Sequence, residues 1–164
     1  MDTIRIPLSG KYGTGKHTLV DGDYDGEYFS QYTWFLTQAG YVVRKVYVNE
    51  HRYGKLRQTY LHHLVCPVKK GQWRDHINGD KLDNRSCNLR PVNRKQSAQN
   101  RAKRKDSSRP YIGVFKTSTS NKKWSINCNR INIYSRFNSA LEAAEARDRL
   151  AKSIFGEYAR LNFN

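Results

Sequence analysis

Short runs rich in β-branched and aromatic residues, separated by clusters of Gly, Asp and Ser, fill the first 60 or so positions of the chain. Residues 4–8, 17–20, 32–36 and 41–48 carry this pattern, which predicts strands joined by turns. Residues 58–65 extend it as one more strand, whose alternation sets His62 and His63 on opposite faces, so that at most one of them turns toward a site. After Trp73 an extended stretch through Asp75 and His76 leads into Asn78-Gly79, a dipeptide that favours tight turns and predicts a hairpin turned there. Asn93-Arg94-Lys95-Gln96 has the character of a capping box, which starts a helix at about 94 and places Ser97 and Asn100 on it. From Tyr111 three strand-like runs, residues 111–115, 123–127 and 131–134, precede a helix opened by Asn138 or by Ser139-x-x-Glu142 and closed at Gly156. Ala143, Ala146, Leu150 and Ile154 recur there at helical spacing, and the alanines let that helix lie close to a small sheet. The fold class is α+β, with a β-rich N-terminal module over 1–56, a central segment over 57–103, a linker over 104–110 and a three-stranded antiparallel sheet packed on one C-terminal helix over 111–164.

Charge narrows the choice of partner. The 164 residues hold 30 lysines and arginines against 14 aspartates and glutamates, a formal net charge of +16. A surplus that large repels itself and points to a polyanion as partner. Nucleic acid is favoured over a membrane, since no basic amphipathic helix stands out. Hydrophobic residues at 37% and aromatics at 12% are enough for packed cores, so the chain is not a disordered basic tail. Cys66, Cys87 and Cys128 are scattered and form no Cys-x-x-Cys pair, which argues against a zinc knuckle or a disulfide framework and fits a reducing cytosol. The N-terminus has no apolar signal core, and no stretch is long enough to cross a bilayer, so a cytoplasmic location is expected. Arg101, Lys103, Arg104, Lys105 and Arg109 give the linker region a charge suited to following a phosphate backbone, a role compatible with its being a solvated tether.

Two motif lookalikes carry no function. Residues 10–17 nearly spell a phosphate-binding loop, but His17 stands where a Ser or Thr is obligatory and a strand pattern follows where a helix is needed. No nucleotide cofactor is expected. Residues 21–26 match the first half of a calcium loop, yet Tyr32 occupies the position of the bidentate Glu, so a solvated turn with non-helical flanks is expected.

The chemistry concentrates at residues 75–90. A carboxylate, Asp75, can hold a hard cation through oxygen, and the adjacent imidazole, His76, can take a proton from water near neutral pH. Asp75-His76, Asn78-Gly79, Asp83-Asn84 and Asn88-Leu89-Arg90 together resemble the HNH endonucleases with the ββα-metal site, in the branch typical of phage and intron homing enzymes. The resemblance makes 57–103 an HNH nuclease core, with Asp75 as metal ligand, His76 as general base and Asn88 as the brace of the loop that carries the histidine. The family's last metal ligand falls nine positions after that Asn, on Ser97, a short hydroxyl where an Asn or His is usual. Asn100, one turn further on, is a possible substitute. His62, in a segment resembling the family's Leu-His-Arg-Leu strand, is a second candidate supporting residue behind the site.

The C-terminal segment resembles the plant APETALA and ethylene-response-factor DNA-binding domain through Tyr-x-Gly-Val at 111–114, Trp124, Ala143-Ala144, Ala146-Arg147-Asp148 and Leu161-Asn162-Phe163. In that family the sheet enters the major groove. Lys116, Lys122, Arg130 and Arg136 are then candidates for DNA contact by charge, and Trp124 belongs either to the DNA face or to the core. The resemblances imply a modular homing endonuclease of phage or mobile-element origin in a bacterial cytoplasm. It would be a hydrolase of double-stranded DNA with one Mg²⁺ or Mn²⁺ per active site. The rival is a DNA-binding protein whose nuclease site is weakened at Ser97.

Overall fold

The computed structural model describes residues 2–22, 24–48, 55–100, 108–116 and 123–163. It divides into two compact units, Met1–Asn93 and Arg94–Asn164. Helices and sheets are mixed in each, as the α+β class requires.

In the first unit β1 (Thr3–Ser9), β2 (His17–Asp21), β3 (Trp34–Leu36), β4 (Val42–Val48) and β5 (Lys55–Tyr60) form one sheet in the order β2-β1-β3-β4-β5. Only the β1–β3 pair is parallel. Alternation along β1 turns Ile6 and Leu8 inward, where they meet Val20, Phe29, Trp34, Val42 and Leu61. Trp34 is fully buried, and its indole Nε1 donates to the Phe29 carbonyl at 2.8 Å, so the polar end of the ring is satisfied inside the core. A two-stranded ladder of β6 (Trp73–His76) and β7 (Leu89–Val92) completes the unit, with Asp75 opposite Arg90 and His76 opposite Leu89.

Three local expectations are corrected. The predicted strand over 58–65 ends at Tyr60 and is followed by a one-turn helix, α2 (Leu61–Val65). Leu61 and Val65, spaced four apart, both pack on the core, and a helical turn is the conformation that puts them on one side. Residues 21–26 are not simply a solvated turn. Helix α1 (Tyr24–Ser30) starts there, and Asp21 is buried, its Oδ2 accepting from the Ser86 backbone N–H at 2.7 Å. Asn78-Gly79, finally, does not turn the β6–β7 hairpin. The Gly79 N–H donates to the His76 carbonyl, closing a β-turn at the start of a loop that runs over residues 77–88.

In the second unit a short helix α3 (Arg94–Gln99) precedes β8 (Val114–Lys116), β9 (Trp124–Cys128) and β10 (Ile131–Phe137), an antiparallel sheet in the order β10-β9-β8, and helix α4 (Ala140–Phe155). The predicted cap at Ser139 is formed, with the return bond from Glu142 reaching one residue further back. Ser139 Oγ accepts from Glu142 N–H, Glu142 Oε2 accepts from Asn138 N–H, and Gly156 closes the helix at φ 57°. Ala143 and Ala144 pack directly on Val114 and Ile126. Gly113 has φ 70°, and a Cβ there would lie 2.4 Å from the Asn127 carbonyl, so glycine alone fits. The chain's last turn is tied down by Asp148, which accepts from the backbone N–H groups of Asn162 and Phe163 and from the Asn162 side chain.

Candidate active site

The loop over 77–88 positions the histidine, and it holds its shape by folding its own Asx side chains onto its backbone. Asn78 Oδ1 accepts from Asp80 N–H at 2.8 Å, and Asp80 Oδ1 accepts from Leu82 N–H at 2.9 Å. Asp83 receives a forked pair from Arg85, with Nε and Nη2 each at 2.7 Å, and a third bond from Asn78 Nδ2 at 3.0 Å. The Arg85 bonds, more than any other influence, hold the Asp83 carboxyl below its ordinary pKa. Asn88 spans the two ends of the loop. Its Oδ1 accepts from Asn78 N–H at 3.0 Å and its Nδ2 donates to the Asp83 carbonyl at 2.7 Å.

The same loop docks on the edge strand β2. Leu19 N–H donates to the Leu82 carbonyl and Asn84 N–H donates to the Leu19 carbonyl, at 2.8 and 2.9 Å, which makes a parallel bridge of Leu19 with Asp83. Asp21 adds its bond to Ser86, and Asn84, wholly buried, donates through Nδ2 to Thr18 Oγ1 at 2.8 Å. Sheet and hairpin are thus one body around His76.

His76 is buried at 7% exposure, with Nε2 3.3 Å from Asn84 Oδ1. The His62 ring lies 5.4 Å from it and the Tyr41 ring 6.5 Å, centroid to centroid. His62 therefore faces the site from α2, while His63 is exposed. Burial, reinforced by the positive charge of His63, His76, Arg74 and Lys81, drives the His62 pKa down to about 3. His62 is a neutral imidazole at any physiological pH, and its Nδ1 is a buried atom with no hydrogen-bond partner among the described residues. Burial also lowers the pKa of His76, against the opposing pull of the Asn84 bond and of Asp75 and Asp80. A histidine kept neutral in this way has a lone pair for a proton.

Asp75 sits beside it on β6, its side chain 14% exposed and its Oδ2 accepting from Arg90 Nε and Nη2 at 3.2 and 3.1 Å. As a hard anionic oxygen donor it fits Mg²⁺ or Mn²⁺. Among the described residues no group of three or more His, Cys, Asp or Glu is placed to hold a metal ion. Ser97 is half-buried on α3 and Asn100 is buried just after it, and both belong to the second unit.

Of the DNA-contact candidates, Arg101, Lys103, Arg104, Lys105 and Lys122 lie outside the described residues. Arg109, Lys116, Arg130 and Arg136 are exposed, and the Arg109 guanidinium lies 5.4 Å from the centre of the Phe115 ring. Phe115 meets Tyr134 edge-on across the sheet face that points away from α4. Trp124 points the other way. It is half-buried against the α4-side core, with the Lys116 ammonium 4.7 Å from its ring centre.

Thr18, Asn84 and Arg90 are the site residues that sequence reasoning passed over. The Asp83-Asn84 pair was visible in the motif, but nothing local marks Thr18.

No family model and no solved structure matches the chain. A protein of Acanthamoeba polyphaga mimivirus described as an uncharacterized HNH endonuclease is 30% identical over 155 residues, spanning 92% of this chain and 78% of that one.

Proposed function

As the chain belongs to the HNH endonuclease family, we propose that it is a site-specific, homing-type endonuclease of double-stranded DNA with His76 as general base and one Mg²⁺ or Mn²⁺ at Asp75. The observation that carries this reading is the held geometry of His76, a buried neutral imidazole next to a carboxylate, on a loop braced from within by Asn88 and from behind by β2. His76 takes a proton from the attacking water, whose oxygen bonds to phosphorus as the bond from phosphorus to the 3′ oxygen breaks. The 3′ oxygen then takes a proton from solvent. A bound divalent cation supplies charge stabilisation at the phosphate and the leaving oxygen. Asp75 would hold it, and the family resemblance makes Ser97 or Asn100 the further donor. Asn88 keeps the loop from yielding as the phosphate arrives.

The second unit is the part that finds the site. Its three strands backed by one alanine-rich helix support the resemblance to the APETALA-type domain, as do the exposed basic residues Arg109, Arg130 and Arg136 and the Phe115–Tyr134 pair on the outer face. Trp124 supports that face from the core side. The charge of +16 supports DNA as partner, and no helix among the described residues is long and apolar enough to cross a membrane.

Ser97, a hydroxyl in place of an amide oxygen or an imidazole, favours a second reading, a DNA-binding protein with a weakened nuclease site. One experiment separates the two. The chain and its Ser97→Asn and His76→Ala variants are incubated with supercoiled plasmid carrying the gene's insertion locus, with Mg²⁺, Mn²⁺ or EDTA. Metal-dependent cutting by the unaltered chain, lost in His76→Ala, is the expected result. Cutting only after Ser97→Asn establishes the binding protein instead.

A further inference from the structure

The hydrogen bonds behind His76 form a chain in which each donor is forced by the next. The Leu82 carbonyl can only accept, so the Thr18 hydroxyl, 2.7 Å away, spends its one proton there. Thr18 Oγ1 is then an acceptor toward Asn84, and the Asn84 atom 2.8 Å from it must be the amide nitrogen. The Lys81 carbonyl, 3.1 Å from the same nitrogen, repeats the requirement, since a flipped amide would set oxygen against oxygen. Asn84 Oδ1 is therefore the atom facing His76 Nε2 at 3.3 Å, and a carbonyl oxygen there calls for an N–H. Both side chains are buried, Asn84 and Thr18 completely, so water does not scramble the order.

We propose that Asn84, aimed by Thr18, is a positioning residue that fixes His76 as its Nε2–H tautomer and thereby makes Nδ1 the nitrogen that receives the proton from water. The inference rests on the reading of His76 as the base and assigns the atom that does the work. When Nδ1 takes the proton, the ring becomes an imidazolium whose Nε2–H remains bonded to Asn84 Oδ1. The amide oxygen thus stabilises the charge that the step creates, and it does so without accepting a proton itself. β2 lies 66 residues from Asn84 in sequence at Thr18, so the N-terminal sheet contributes directly to the orientation of the base.

The test reads the tautomer itself. Full-length protein labelled with ¹⁵N at histidine is examined by long-range ¹H–¹⁵N correlation at about pH 8, above the ordinary histidine pKa, so that the ring is neutral. His76 is assigned by the signals missing in His76→Gln. The expected spectrum shows His76 with a proton on Nε2 and a bare Nδ1. A proton on Nδ1 in the unaltered protein overturns the proposal without any further variant. Asn84→Ala should mix the two tautomers and reduce plasmid cutting about ten- to a hundred-fold, the loss seen when groups that orient metal-ligating histidines are removed, with plasmid binding kept. Asn84→Asp keeps the acceptor for Nε2 and should hold the tautomer, while its second oxygen, set against the Lys81 carbonyl, lowers stability. Because Asn84→Ala opens a buried site, Thr18→Val is measured in parallel, and Thr18→Ser should restore what Thr18→Val loses. An unchanged Nε2–H signal in a folded Asn84→Ala protein counts against the proposal. If the tautomer is as stated but His76→Ala cuts as well as the unaltered chain, the base assignment fails while the positioning holds, so the two failures are told apart.

Discussion

Replacing Asn88 by alanine tests whether the loop is held as a unit. The side chain is 6% exposed and makes two hydrogen bonds, accepting from Asn78 N–H at 3.0 Å and donating to the Asp83 carbonyl at 2.7 Å. These losses are unequal. Asn78 is exposed, so its N–H turns to water and the variant forfeits only the net value of a hydrogen bond, about 0.5–1.5 kcal/mol. The Asp83 bond is buried, and a carbonyl left there without a donor costs about 1–3 kcal/mol. Asn88→Ala should therefore lower stability by about 2–4 kcal/mol, a large share of the roughly 5–15 kcal/mol typical of a domain but not all of it. Urea denaturation followed by far-ultraviolet circular dichroism reads this as a lower midpoint at unchanged slope. Asn88→Asp gives the sharper comparison. It keeps the acceptor for Asn78 but sets a carboxylate oxygen against the Asp83 carbonyl, so it should be no more stable than Asn88→Ala. A loss below about 0.5 kcal/mol for alanine, smaller than one net hydrogen bond, or wild-type stability for Asn88→Asp, would refute the brace.

Two further outcomes follow from buried groups. The His62 pKa is lowered to about 3, chiefly by burial, so the unfolded chain binds a proton below the ordinary value near 6.5 while the folded one does not. Stability from this group is complete above pH 6.5 and is lost as pH falls toward 3, at up to about 1.4 kcal/mol per pH unit, with His63 and His76 shifted in the same direction and steepening the slope. Urea titrations between about pH 7.5 and 4.5 should show a shallower slope in His62→Phe; an equal slope would remove His62 from the account. In the second unit Asp148 pairs with buried Arg147 at 3.0 Å and accepts from Asn162 and Phe163. Asp148→Ala leaves that buried guanidinium without its carboxylate, its Nη1 keeping only the Arg160 carbonyl, and should destabilise the unit by about 3–5 kcal/mol, seen as faster hydrogen exchange across the described residues of the sheet and α4. Exchange confined to the last few amides would show a local tether only.

What was legible in the chain is what neighbours in sequence decide. The α4 cap and its Gly156 stop depend on residues within four positions of one another, and they form as read. The alanines of α4 meet the sheet because a helix repeats its own face. Misreadings fall where a distant partner decides. Residues 61–65 suit a strand by composition, but the core needs Leu61 and Val65 on one side and takes a helical turn. Asn78-Gly79 suits a two-residue hairpin, but bonds from Leu19 and Asp21 hold the loop out at twelve residues, 77–88, and reduce the dipeptide to its first turn. Asp21 suits a solvated turn for the same reason. Trp124 stands at the start of a five-residue strand, where alternation alone does not rank the two faces, and its packing against the cluster of Ala143 and Ala144 settles it.

The bonds between β2 and the loop over 77–88 make the N-terminal sheet part of the frame that holds His76. A ββ hairpin with a twelve-residue loop buries little, since β6 and β7 are four residues each and Trp73 is 51% exposed. Two short strands alone are marginal in water. The loop that carries His76 therefore needs a second surface, and β2 supplies it through backbone bonds at Leu19, a carboxylate at Asp21 and a hydroxyl at Thr18. Each of those contacts is polar and directional, so the sheet fixes the angle of the loop as well as its position. That is the property a proton-transferring imidazole requires, because its reach is about one hydrogen bond. The histidine motif supplies the residues of the proposed site, and the loop that carries His76 is held by a strand more than fifty residues earlier in the chain.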